Sequence, residues 1–188
     1  MTDLYKLGPE GSCFTVQGFA TGMLSGFAHN PTFAIRDFTG ELRFTPGTFE
    51  NMSIQLTVRA NSLELTDRIS DKDRDQIHAT MKQETLEVAK YPEISFRSTE
   101  IAATRITENW YRTRILGQMQ LHGVTQPQVV DSQLRIGEND LKLTGEFVLS
   151  QALYRIRKAT GMGGLIKMKD DLKIAFDLVG LKQEQAAT

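Results

Sequence analysis

The feature that most constrains this chain is a period of two in its apolar residues. Between positions 51 and 60, Met52, Ile54, Leu56, Val58 and Ala60 alternate with Asn51, Ser53, Gln55, Thr57 and Arg59. Residues 140–149 set Leu141, Leu143, Gly145, Phe147 and Leu149 on one face, and residues 172–179 do the same with Leu172, Ile174, Phe176 and Leu178. Such alternation turns one side of a strand toward a core and the other toward water. Weaker versions cover residues 14–20, 34–44, 94–106, 110–121 and 128–136, which makes about eight strands. Pro46-Gly47, His122-Gly123 and Gly137-Glu138-Asn139-Asp140 are turn sequences between them.

One segment breaks the rhythm. Ser70 precedes Asp71, Lys72 and Asp73, an N-cap with acids in the first turn, and Ile77 and Met81 follow as a narrow apolar stripe. Pro92 disfavours helix at Tyr91, so a helix is predicted over about residues 70–84. Residues 158–164 hold Gly161, Gly163 and Gly164 and read as a loop; the polar tail 182–188 reads as frayed. With no linker, long repeat or low-complexity block, residues 1–188 read as one domain. Strands of about ten residues are long for a sandwich and suit a tilted barrel wall, so the predicted fold is all-β with one short helix.

Composition excludes several classes. The single cysteine, Cys13, rules out an internal disulfide, and a net charge of −1 gives no global attraction to nucleic acid. No run approaches the ~18 apolar residues of a membrane-spanning helix. An outer-membrane barrel is disfavoured by one Trp and four Tyr, too few for two aromatic girdles, and by the charged helix. Met1-Thr2-Asp3-Leu4 shows no signal peptide, so the chain reads as cytoplasmic as written, or periplasmic if it is a trimmed mature form.

Most catalytic and metal motifs fail. Asp71, Asp73 and Asp75 start like a calcium loop, but Gln76 and Lys82 stand where Gly and Glu are needed. His29, His78 and His122 are too widely spaced to anchor zinc unless folding gathers them. Gly161-Met162-Gly163-Gly164 runs into Leu165 and Ile166, not Lys and Ser/Thr, so it is no phosphate loop. Cys13 has no nearby histidine in sequence, and no metal or cofactor is implied. One charge cluster stands out: Arg155, Arg157, Lys158, Lys167, Lys169 and Lys173, offset by Asp170 and Asp171. It is either a solvated face or a cationic rim for the polar head of a ligand. In the second case Arg155, able to chelate an anion bidentately, is the leading residue.

An eight-stranded barrel either fills itself or holds one small ligand. The inward columns carry Gly18, Gly40, Ala60, Ser98, Gly117 and Gly145 among larger residues. Small residues at one height would leave a tunnel lined by Phe14, Phe38, Phe44, Ile54, Leu56, Phe96, Ile115, Met119, Phe147, Leu149, Ile174 and Phe176, with Gly117 and Gly145 giving the space. The alternative is that these glycines are bends in a dry, full core.

Four stretches resemble the YceI-like family of lipid- and polyisoprenoid-binding proteins: residues 33–44 (FAIRDFTGELRF), 73–78 (DRDQIH), 90–99 (KYPEISFRST) and 117–127 (GQMQLHGVTQP). The resemblance implies an extended, antiparallel, eight-stranded, lipocalin-like β-barrel whose hydrophobic pore holds an isoprenoid or fatty-acyl lipid, without catalysis, in some members as a homodimer. The chain departs from the family pattern at residues 22–30 (GMLSGFAHN), at Ala79, and at residues 150–156 (SQALYRI), where Arg155 stands in place of a common Gly. The expected function is a carrier for a long-chain amphiphile, with Tyr154, Arg155 and His122 at the mouth. A barrel enzyme using Tyr154 with Arg155, or His122, and an interaction module with a filled core are the alternatives.

Overall fold

The structure, a computed structural model, describes residues 2–22, 30–161 and 166–184. Its strands are β1 (Asp3–Gln17), β2 (Ala20–Thr21), β3 (Thr32–Ile35), β4 (Phe38–Thr45), β5 (Thr48–Arg59), β6 (Leu63–Leu65), β7 (Glu93–Thr107), β8 (Trp110–Leu121), β9 (Val124–Ile136), β10 (Asp140–Ser150), β11 (Thr160–Gly161), β12 (Ile166–Met168) and β13 (Asp171–Lys182). A helix, α1 (Asp71–Thr80), lies between β6 and β7. Strands β1, β4, β5, β7, β8, β9, β10 and β13 form the wall, and antiparallel pairing of β13 with β1 closes it. This is the lipocalin-like barrel of eight strands. Strands β3 and β6 extend one rim, and β11, β12 and β2 form a small second sheet.

The closing strand is longer than its alternation suggests. β1 begins at Asp3, and Tyr5 and Leu7 are buried. Gly8-Pro9-Glu10-Gly11 then interrupts the period, and the register against β13 shifts between Gly8 and Cys13. Ser12 staples this bulge: its hydroxyl donates to the Gly8 carbonyl (2.6 Å) and accepts from the Val179 amide (2.9 Å). Opposite it, the expected strand over residues 34–44 is two strands, β3 and β4, kinked at Arg36-Asp37, where Ser62 takes both backbone amides. The residues after β5 make a short 3-10 turn and then β6, too brief to show a period. Thr160–Gly161 is a short strand inside the expected loop; the rest of that loop, residues 162–164, lies outside the described residues. Lys182 and Gln183, expected in a frayed tail, are instead hydrogen-bonded to Asn139 and Leu4, and residues 185–188 of that tail lie outside the described residues.

Ser70 caps α1 by accepting the Asp73 amide at 3.2 Å, and the helix continues through one wide π turn, Met81–Thr85, with Leu86 donating to Met81. Arg74 donates to the Leu65 and Asp67 carbonyls, and His78 Nε2 accepts the Leu65 amide at 3.0 Å. These bonds pin the helix to the edge of β6. With His78 so engaged, and His29 outside the described residues, no zinc site is assembled on it.

The inner face is apolar. The outer face carries cross-strand ion pairs, among them Lys6 with Glu41, Arg59 with Glu93, and Arg114 with Asp131. That polarity is the reverse of a barrel whose wall faces lipid. No helix among the described residues is long and apolar enough to cross a membrane.

The inward glycines do not leave a tunnel. A Cβ on Gly117 would stand 2.4 Å from the Phe96 ring and 2.6 Å from the Arg97 carbonyl oxygen; one on Gly145 would meet the Phe176 ring at 2.7 Å. Each glycine is the seat of an aromatic ring from the neighbouring strand. Gly117→Ala is therefore expected to destabilise the fold by about 1–3 kcal/mol in urea unfolding. Gly8→Ala, with nothing within 4 Å of the new methyl, should stay within ~0.5 kcal/mol.

Hydrogen bonds from Lys6 and Arg43 lower the Glu41 pKa from 4.5 to about 2. A carboxylate lowered on folding adds stability above its unfolded value and loses it as pH falls. Acid titration of Glu41→Gln should thus show a shallower loss of stability between pH 4.5 and about 2 than the parent protein.

Candidate functional site

The barrel is unequal along its axis. At the end where β4 meets β5, Tyr5, Leu42, Phe44, Leu134, Leu141 and Leu143 are all buried to 2% exposure or less, and Tyr5 stacks on Phe44 at 5.6 Å between ring centroids. At the other end, under α1, an apolar cavity of about 480 Å³ opens. Val16, Phe33, Leu63, Leu65, Ile77, Met81, Leu86, Met168 and Leu172 form its greasy wall; Asp67, Gln76, Thr80, Thr85, Gln151 and Thr160 add polar groups. A second, smaller space of about 90 Å³, called the deep branch below, lies deeper in the barrel and has Val16, Leu63, Leu86 and Leu172 in common with the wall of the outer chamber.

Of the lining residues expected from sequence, Phe14, Leu56, Phe96, Met119, Phe147, Leu149 and Ile174 line the deep branch. Phe38, Phe44, Ile54 and Ile115 do not; they belong to the packed core. Phe176 covers Gly145, and both border a depression of about 530 Å³ reached from outside with Cys13, Asp131 and Asp177. Gly117 sits behind Phe96 and gives no space. The outer chamber's walls come from α1, β3, β6 and β12, which periodicity in the long strands does not reveal. Ile77 and Met81, the helical stripe, are the part of it that the sequence shows.

The barrel wall is incomplete beside the cavity. β9 and β10 pair only between residues 132–136 and 141–145. Toward the cavity end, residues 124–131 and 146–150 share no ladder, and the segment after β10 fills the gap. Tyr154 and Ile156 pack there against Met119, Leu121, Leu149 and Ile174. Tyr154 is 1% exposed, so it is a wall residue and not a mouth residue. Burial raises the pKa of its phenol, and its hydroxyl has no hydrogen-bond partner among the described residues. Arg155 turns outward and is exposed, with a left-handed φ of 57°. That backbone is the physical reason glycine suits this position.

His122 ties the patch in place. Its Nδ1 lies 3.2 Å from the Tyr154 carbonyl oxygen and its Nε2 2.7 Å from the Glu87 carboxylate, with the ring against Tyr91. The ring is thus held at both of its nitrogens. His122 and Gly123 have φ of 52° and 73°, the two left-handed residues of a tight hairpin turn. His122→Asn keeps a residue that tolerates this backbone but is too short for both bonds. It should cost about 2–3 kcal/mol in urea unfolding, whereas Arg155→Gly should stay within ~1 kcal/mol of the parent.

Residues 5–180 match the YceI-like domain. A UPF0312 protein of Enterobacter sp. (strain 638) is 28% identical over 184 residues, which is 96% of this chain and 80% of that protein. Among solved structures, Burkholderia cenocepacia BcnA superposes with a TM-score of 0.66 at 18% identity, covering 90% of this chain and 96% of that one. A polyisoprenoid binding domain from Saccharophagus degradans, implicated in plant cell wall breakdown, gives 0.65 at 13% identity over 95% and 98%. The Campylobacter jejuni YceI protein gives 0.61 at 15% over 84% and 88%.

Proposed function

Since the chain belongs to the YceI-like family and its barrel opens into an apolar cavity at one end, we propose that it is a non-catalytic carrier for an amphiphile with a long apolar tail, of the isoprenoid or fatty-acyl class. The observation that carries this reading is the apolar chamber under α1, with a smaller apolar space deeper in the barrel that shares four of its wall residues. Its volume of about 480 Å³ lies within the range of ligand sites, ~300–1,000 Å³. Transfer from water contributes about 0.8 kcal/mol per methylene, so a tail binds here with few polar contacts. The polyisoprenoid binding domain of Saccharophagus degradans, which shares this fold, is named for a ligand of this class.

Among the described residues the two linings bring together no paired acid and base, which favours carriage over turnover. Asp67, the carboxylate of the outer chamber, is occupied in accepting the Thr32 amide at 2.8 Å. His122 and Tyr154, the enzyme candidates of the sequence, lie outside both lining sets among the described residues. The tail enters at the chamber between α1 and β12 and points into the branch beside Phe96 and Phe147. Its polar end stays near Gln151, Thr80 and Thr160.

Leu172 lines both spaces, so Leu172→Trp should crowd both. The expected result is at least a ~10-fold weaker affinity for a fluorescent fatty-acid probe, with the circular dichroism of the parent retained. Mass spectrometry of solvent extracts should find lipid in the parent protein and little in the variant. A parent protein that neither co-purifies with lipid nor takes up the probe would refute the carrier.

A further inference from the structure

The sequence showed a cluster of cations, and the structure shows where they stand and what they lack. Residues 151–153 lie against Asp170: the Gln151 amide donates to its carbonyl and the Ala152 amide to its carboxylate. The Met168 amide donates to the Ala159 carbonyl, which places residues 157–159 beside β12. Arg155, Arg157, Lys167 and Lys169 are all exposed and, among the described residues, none has a side-chain hydrogen bond or an ion pair. Elsewhere on the barrel Lys6, Arg59, Arg114 and Lys142 are each matched by a carboxylate on a neighbouring strand. In this patch Asp170 is taken up by Ser150, Ala152 and a distant Lys158, leaving Asp171 as the neighbouring acid. The segments outside the described residues contain no Asp or Glu.

Two residues before Arg155, Leu153 is 57% exposed, with Val148 at 59% near the end of β10. Water-exposed leucine beside unpaired cations, at the rim of an apolar cavity, is the pattern of a surface that sits on a lipid interface. We propose that this face docks on an anionic bilayer: Leu153 enters the headgroup boundary while Arg155, Arg157, Lys167 and Lys169 meet lipid phosphates, which brings the chamber mouth to the membrane. The proposal rests on the carrier reading, because a tail leaving a bilayer for the cavity avoids water only if the mouth meets the bilayer. Charge complementarity calls for an anionic surface, and the exposed Leu153 and Val148 beside the cations favour one with an apolar layer beneath its charges, as a bilayer has.

The experiment is co-sedimentation of the full chain with vesicles of phosphatidylcholine alone or with 30% phosphatidylglycerol, ~30% being an anionic fraction sufficient for a strong surface potential. Binding should be strong only with the anionic lipid and should fall with added salt. Each cation near such a surface is worth about fivefold, so Arg157→Gln with Lys167→Gln should weaken binding on the order of 20-fold. Leu153→Ser should weaken it several-fold, and fatty-acid probe uptake in solution should be unchanged in both variants. No binding to anionic vesicles, or variants that bind like the parent, would overturn the proposal and leave the patch to an acidic protein. A parent that binds vesicles but takes up no probe would sink the carrier reading while leaving the docking face standing.

Discussion

Everything in this molecule depends on the pairing of its first long strand with its last. β1 meets β13 from Tyr5↔Lys182 to Gln17↔Lys173, and without that ladder the other wall strands would be an open sheet with two bare edges. Closure converts the period-two pattern into an inside and an outside. It also makes β1 the strand with the most partners, since its two halves pair with β4 and β3 on its other edge. The bulge stapled by Ser12 lets one strand serve both. It is thus the local irregularity in β1, and not its regular part, that allows the barrel to close and its rim to be extended by β3 and β6.

From closure follows the question of how the inside is filled, and the two ends answer differently. Where glycine faces inward, a ring from the adjacent strand occupies the room: Phe96 over Gly117 and Phe176 over Gly145. The half around Tyr5, Leu42, Phe44 and Leu134 is solid. At the other half the barrel's own residues run out, and the space is roofed by α1, held to β6 through Arg74 and His78. The cavity is a consequence of an amphipathic helix with only a narrow apolar stripe spanning a wide rim. Ile77, Met81 and Leu86 reach inward, but they do not refill the volume that a ninth strand of large residues would take.

What could be read from sequence follows from how locally each feature is encoded. Strands such as β10 and β13 were legible because inward and outward residues alternate without a break, and α1 was legible from Ser70 and Pro92. The first half of β1 was not, because Gly8-Pro9-Glu10-Gly11 scrambles the period that Tyr5 and Leu7 begin. Seven inward residues of the deep branch were legible as members of an apolar column. Whether a column faces a void or a neighbouring ring is a tertiary matter, so Phe44, Ile115 and the two glycines were indistinguishable from them. Tyr154 was read as a mouth residue for the same reason: nothing local says that β9 and β10 part company and need a side chain between them.

That parting gives the wall its weakest seam in the place where the cavity lies. Among the described residues, four that are not glycine have a left-handed backbone, and three of them, Glu87, His122 and Arg155, stand around this seam. Such residues cost free energy and persist where neighbours over-determine them. Here the neighbours are one imidazole ring with two acceptors and a tyrosine packed without a partner for its hydroxyl. A seam held by side chains in this way opens by breaking a few contacts, whereas opening any paired seam would strip a row of backbone hydrogen bonds. The side of the barrel that closes the cavity is therefore also the side that yields at least cost to the β1–β13 closure.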